Sequence, residues 1–140
     1  SMEINPAAGI YDTGELFTEE DLVPDTAKGY MNIPDGELPK FKEGPFAKFP
    51  DFRLAVRHWM AYNTGLGNQG NAEGNVSVSF TVGKDGKAKD AKVENRETTS
   101  SELEVAALYT IQRLPEFIPA TQNGKPVAFR MTVALRFEKR

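Results

Sequence analysis

Residues 127–138 read Val127-Ala128-Phe129-Arg130-Met131-Thr132-Val133-Ala134-Leu135-Arg136-Phe137-Glu138. The apolar side chains Val127, Phe129, Met131, Val133, Leu135 and Phe137 alternate without a break with Ala128, Arg130, Thr132, Ala134, Arg136 and Glu138. A period of two sends these sets to opposite sides of a pleated chain, so the stretch predicts a long strand with one buried face and one wet face. The same period recurs in Val76, Val78, Phe80 and Val82, set against Ser77, Ser79 and Thr81. Gly83-Lys84-Asp85-Gly86 then has the residues of a tight hairpin, and the return strand over 87–96 turns Ala91 and Val93 inward. Ala88 is out of phase with that pair, which predicts a bulge near Lys89-Asp90.

Outside these strands the apolar period lengthens to that of a helix. Asp51 is placed to cap a helix in which Phe52, Val56, Trp59, Met60 and Asn63, at relative positions 0, 4, 7, 8 and 11, share one face. Ser101-x-x-Glu104 has the form of a capping box, and the helix it opens buries Leu103, Ala107, Ile111 and Leu114 before Pro115 stops it. Residues 39–50 are turn-rich, 64–73 are rich in Gly and Asn, and 117–124 read as loop. The order helix, hairpin, helix, strand predicts an α+β fold, a three-stranded antiparallel sheet with two helices packed on one face and the other face wet. In so small a sheet the strand over 127–138 has an edge guarded only by arginines near its end. Such an edge invites another strand.

The 140 residues suffice for one compact domain. Charge divides them unevenly: residues 1–40 carry nine acidic and two basic side chains, and residues 41–140 carry eleven acidic and fifteen basic. The first segment also holds Pro6, Pro24, Pro34 and Pro39 among Gly9, Gly14, Gly29 and Gly36, which interrupt every apolar pair before a period forms. We therefore expect an acidic arm or linker over residues 1–37, partly packed on a domain over 38–140, with a short strand over Gly29-Tyr30-Met31-Asn32-Ile33. The net charge of −3 offers no general basic field for nucleic acid. No apolar run approaches the ~18 to 20 residues of a membrane span. Ser1 before Met2 has the form of a residue left by tag cleavage, which leaves open whether a native leader or membrane anchor was cut away before it.

The inventory of reactive side chains is short. There is no cysteine and one histidine, His58, which removes thiol chemistry, Cys-type zinc sites and any site needing two imidazoles. His58 lies in a helical pattern between Arg57 and Trp59 with no nucleophile signal nearby, so it reads as a packing or solvent-facing residue. Lys84-Asp85-Gly86 begins like a calcium loop, but Lys87 and Lys89 stand where acidic ligands are required. Glu19-Glu20-Asp21 reads as a solvated face or the start of a helix. The expectation is a protein without catalytic residues, metal or cofactor.

Several elements occur together in order: Leu38-Pro39-Lys40-Phe41, Gly74-Asn75-Val76 through Asp85-Gly86, Leu114-Pro115-Glu116-Phe117-Ile118-Pro119-Ala120, and Gln122-Asn123-Gly124-Lys125-Pro126-Val127. In this combination residues 38–137 resemble the C-terminal domain of TonB energy transducers, most closely the forms found in Bacteroidetes-type bacteria. Where members usually carry Tyr-Pro after the first helix, this chain has Ala61-Tyr62-Asn63-Thr64-Gly65. The resemblance implies a periplasmic, non-enzymatic peptide-binding adaptor, inner-membrane anchored in the full-length protein. Its partners would be the TonB box of outer-membrane transporters and the inner-membrane proton-motive complex. The edge implied for the TonB box is the last strand, with Phe129, Arg130, Met131, Thr132, Val133, Ala134, Leu135, Arg136 and Phe137 as site residues. A weak homodimer through the same edge is also expected. Other roles open to such a domain are a sensor or scaffold in a membrane signal-transducing protease, or a free-standing envelope protein.

Overall fold

The computed structural model describes residues 16–64 and 72–138. The remainder of the expected arm, residues 1–15, and most of the Gly/Asn-rich stretch, residues 65–71, lie outside the described residues. In chain order the elements are β1 (Leu16–Thr18), β2 (Val23–Asp25), β3 (Tyr30–Asn32), β4 (Gly36–Glu37), β5 (Lys40–Phe41), α1 (Phe52–Asn63), β6 (Gly74–Val82), β7 (Ala88–Val93), α2 (Ser101–Gln112), β8 (Phe117–Ile118), β9 (Ala120–Gln122) and β10 (Lys125–Phe137). Short 3-10 turns fall at Glu19–Asp21, Pro45–Lys48 and Arg96–Thr98.

The two long alternating stretches form the centre of the sheet. β10 runs antiparallel to β6 in unbroken register from Phe129 opposite Val82 to Phe137 opposite Gly74. β7 flanks β6 on the other side, and the register slips between Ser79 and Thr81, so Asp90 and Ala91 together face the place of Phe80. This is the expected bulge, and Asp90 takes a left-handed φ of 57° to make it.

The expectation of a three-stranded sheet is overturned. Ten strands in three sheets are present among the described residues: a six-stranded sheet whose pairings run β4-β9-β10-β6-β7 with β1 also on β10, and the two pairs β2-β3 and β5-β8. The additional strands come from the stretches read as arm, turns and loop. A strand of two or three residues is too short to establish a period, and it forms because an ordered partner is already in place. β9 is folded back onto β10 by the two-residue turn Asn123-Gly124, with φ of 52° and 78°, the left-handed pair that suits the twist of a hairpin. β8 docks on the β6-β7 hairpin, where the Phe117 N–H donates to the Gly86 carbonyl at 2.7 Å. At Gly86, φ is 81° and a Cβ would run into the Phe117 carbonyl oxygen. Glycine is therefore required twice over, for conformation and for space.

Both helices bury their apolar faces in one core with the odd-numbered side chains of β10 and the even-numbered apolar residues of β6. Asp51 caps α1 by accepting the Arg53 N–H at 3.0 Å. Phe52 then sits edge-on to both Phe117 and Phe129, at 5.4 and 5.8 Å between ring centres. Trp59 and Met60 complete that face, while Asn63 turns its amide back onto the Trp59 carbonyl. The cap of α2 is one residue earlier than its sequence pattern indicates. Ser100 accepts from the Leu103 N–H, and Glu104 pairs with Arg96 at 3.4 Å. Residues 16–37 add Leu22 and Ile33 to the core and tie β4 to β9, with the Gln122 amide donating to the Pro34 carbonyl.

The opposite face of the sheet is not wet at its centre. Ser79 and Thr81 are only 3% and 1% exposed. The Arg130 guanidinium donates to both hydroxyls, at 2.9 and 2.8 Å, and the Ser79 hydroxyl also donates to Glu94. One long side chain thus shields two small ones from water and satisfies them.

Candidate functional site

The two edges of β10 differ. One is taken by β6. On the opposite edge β1 lies parallel, with Leu16, Phe17 and Thr18 beside Ala128, Phe129 and Arg130. β1 stops there because the Thr18 N–H and hydroxyl both donate to the Asp21 carboxylate, which folds Glu19–Asp21 into a 3-10 turn. The turn delivers Glu19 to the next position on the strand: its Oε1 accepts the Thr132 N–H at 2.6 Å, and its Oε2 lies 3.5 Å from Arg53 Nε of α1. Since the Thr132 N–H points outward, and N–H and C=O groups alternate in direction along a strand, the main-chain groups of Ala134 and Arg136 point outward too. Among the described residues no strand pairs with that edge beyond Arg130.

Beside the free part of the edge runs α1. Between them lies a groove of about 350 Å³, lined from the helix by Arg57, Met60, Ala61 and Thr64 and from the strand by Val133 through Arg136, with Glu138 at its end. Its floor is apolar, and its rim carries charge. Arg136 is within ion-pair distance of Glu73 and Glu138. An unpaired strand edge next to a side-chain groove can accept an extended peptide through main-chain hydrogen bonds while reading alternate side chains.

The family model for the Gram-negative bacterial TonB protein C-terminal domain matches residues 68–138. The chain belongs to the TonB C-terminal family. No curated protein matches the chain. As a TonB C-terminal domain it is a non-catalytic periplasmic adaptor of cell-envelope transport. The family match begins after α1, so β6, β7, α2 and β8 to β10 carry the family character, whereas the helix that walls the groove lies before it.

In this TonB C-terminal domain the nine residues expected on the binding edge fall into three groups. Phe129, Met131, Val133, Leu135 and Phe137 point their side chains into the core and turn their main-chain groups to β6, so they give the free edge no direct contact. Arg130 is engaged with Thr81 and Ser79, and its outer edge is paired with β1. Thr132, Ala134 and Arg136 are exposed on the free portion. Sequence reasoning read Glu19 only as part of a solvated acidic run and Arg57 only as a neighbour of His58, and it passed over Arg53. A signal existed in the exposed stripe Arg53, Arg57, Ala61, spaced by four along an otherwise apolar helix, but nothing local tells which strand that stripe follows.

The remaining polar residues have structural partners. The exposed His58 stacks on Phe49 at 4.8 Å between ring centres. Asp85 holds the hairpin by accepting the Lys87 N–H and pairing with Lys89 at 3.4 Å. Burial acts to raise the Asp85 pKa, but the Lys87 N–H and the Lys89 charge outweigh it and hold the carboxyl below its ordinary range. Asp90 is the opposite case. Burial pushes its pKa up, the charges of Arg130 and Lys89 only partly offset this, and its Oδ2 is buried without a hydrogen-bond partner. Among the described residues no three His, Asp or Glu side chains converge to hold a metal ion, and no helix is long and apolar enough to cross a membrane.

Proposed function

We propose that this domain engages the TonB box of an outer-membrane transporter by adding it as a strand to β10 over Val133–Phe137, and that inner-membrane anchoring of the full protein lets the contact carry work to the transporter. The observation that supports this reading is the half-open edge of β10: its first part is paired with β1, its second part is free, and a groove against α1 lies alongside. Main-chain pairing tolerates the varied sequences of different transporters, and the groove supplies modest selectivity.

The test uses synthetic peptides covering the N-terminal plug segments of TonB-dependent transporters. Saturating peptide should slow amide exchange at Ala134 and Arg136. Ala134→Pro removes an outward-facing donor, at an edge position where proline is tolerated, and should weaken binding about tenfold while the fold persists. Confirmed binding with unchanged exchange at Ala134 and Arg136 would place the site elsewhere and refute the reading.

A further inference from the structure

Glu19 shows what this edge accepts. Its carboxylate binds a main-chain N–H of β10 and an arginine of α1 together, at 2.6 Å from Thr132 N and 3.5 Å from Arg53 Nε. One step along both elements the same pair of groups recurs. Arg57 lies one helical turn beyond Arg53, an advance of about 6 Å at 1.5 Å per residue. Ala134 lies two residues beyond Thr132, an advance of about 6.7 Å in an extended strand. The two repeats match, and α1 and β10 run alongside each other in the same sense, since Glu19 bridges Arg53 to Thr132 while Arg57 to Thr64 face Val133 to Arg136 across the groove.

The charges around this second position are unequal. Arg136 already has Glu73 and Glu138, whereas Arg57, exposed on the rim, has no ion-pair partner among the described residues. A neutral peptide paired to β10 would leave Arg57 to water. A carboxylate projecting from the added strand toward α1 would meet Arg57, as Glu19 meets Arg53, while the strand's own carbonyl takes the outward N–H of Ala134.

We propose that the groove between α1 and β10 is a carboxylate-reading station, and that the extended segment it prefers carries an Asp or Glu side chain placed against Arg57. This rests on strand addition at β10 and specifies the chemistry of the partner. Because the station is exposed, the selectivity is modest and salt-dependent.

The probes are two extended synthetic peptides of the same β-prone sequence, Thr-Val-Glu-Val-Thr and Thr-Val-Gln-Val-Thr, titrated into the full chain. The Glu peptide should bind about fivefold tighter at low salt, the effect of an exposed ion pair, and the difference should shrink as salt rises. Arg57→Ala should abolish the difference by weakening only the Glu peptide, and Arg57→Glu should favour a Lys peptide over both. Arg57 is a surface residue, so these variants fold, and amide exchange at Ala134 verifies the binding mode in each. Equal affinities for the Glu and Gln peptides with Ala134 still protected, or a preference that survives Arg57→Ala, would overturn the carboxylate station and leave strand addition standing. Binding of neither peptide, with plug segments also failing to protect Ala134, would overturn both.

Discussion

Asp90 occupies the bulge of β7 at a φ of 57°, 2% exposed, with one carboxylate oxygen unpartnered. Its native pKa is raised above the ordinary 3.8, so the folded protein holds a proton that the unfolded chain releases. Stability contributed by this group is therefore full below the unfolded value and declines as pH rises toward the raised native one. Asp90→Asn keeps the shape and tolerates the left-handed backbone. Its advantage over the parent should be absent in acid, grow through that window and level off once pH passes the raised native value, as followed by urea midpoints across pH; a parent curve without this decline would contradict the assignment. Gly86 gives the contrasting residue-scale prediction. Gly86→Ala must enter the left-handed region and displace the Phe117 carbonyl, so it should cost at least about 2 kcal/mol in denaturant unfolding, mostly by freeing β8 from the hairpin.

At the scale of the element, β10 performs two tasks with one strand, and their phases separate by a single residue. Odd-numbered residues face the core with their side chains and β6 with their main chain; even-numbered residues present main-chain groups to the free edge. Val133→Pro should therefore break the ladder to β6 and cost about 3 kcal/mol or more, whereas Ala134→Pro should leave thermal unfolding within about 1 kcal/mol of the parent. Equal destabilisation by the two would mean that the strand's phase is wrong. The alternation of side chains was legible from Val127 to Phe137, because burial imposes it residue by residue. The direction of each N–H was not legible, since side-chain polarity carries no record of which strand sits on which edge.

For the whole molecule, β1 and Glu19 decide how much of the edge is available for association. With Ala128 to Arg130 paired and Thr132 capped, only the end of β10 is left for self-pairing, which predicts a monomer or a weak dimer. Glu19→Ala combined with Phe17→Pro should release that cover and raise the dimer fraction in light scattering at high concentration. An unchanged mass would show that strand pairing at this edge does not drive self-association. The partial cover has a second consequence: a partner that pairs with β10 from Ala128 onward must displace β1 and Glu19, while one confined to Val133–Phe137 need displace neither.

By itself the sequence determined what depends on local repetition and on residue inventory. The two long strands, both helices with their buried faces, the bulge at Asp90 and the lack of cysteine chemistry all follow from spacing and composition within a few residues. Only the tertiary structure decided the size of the sheet, the pairing of residues 16–18 with 128–130, and the meeting of Glu19 with Thr132 across 113 positions. The reason is physical. A two- or three-residue strand has no period of its own, and its ordering is favourable only because a longer strand has already fixed the groups it pairs with.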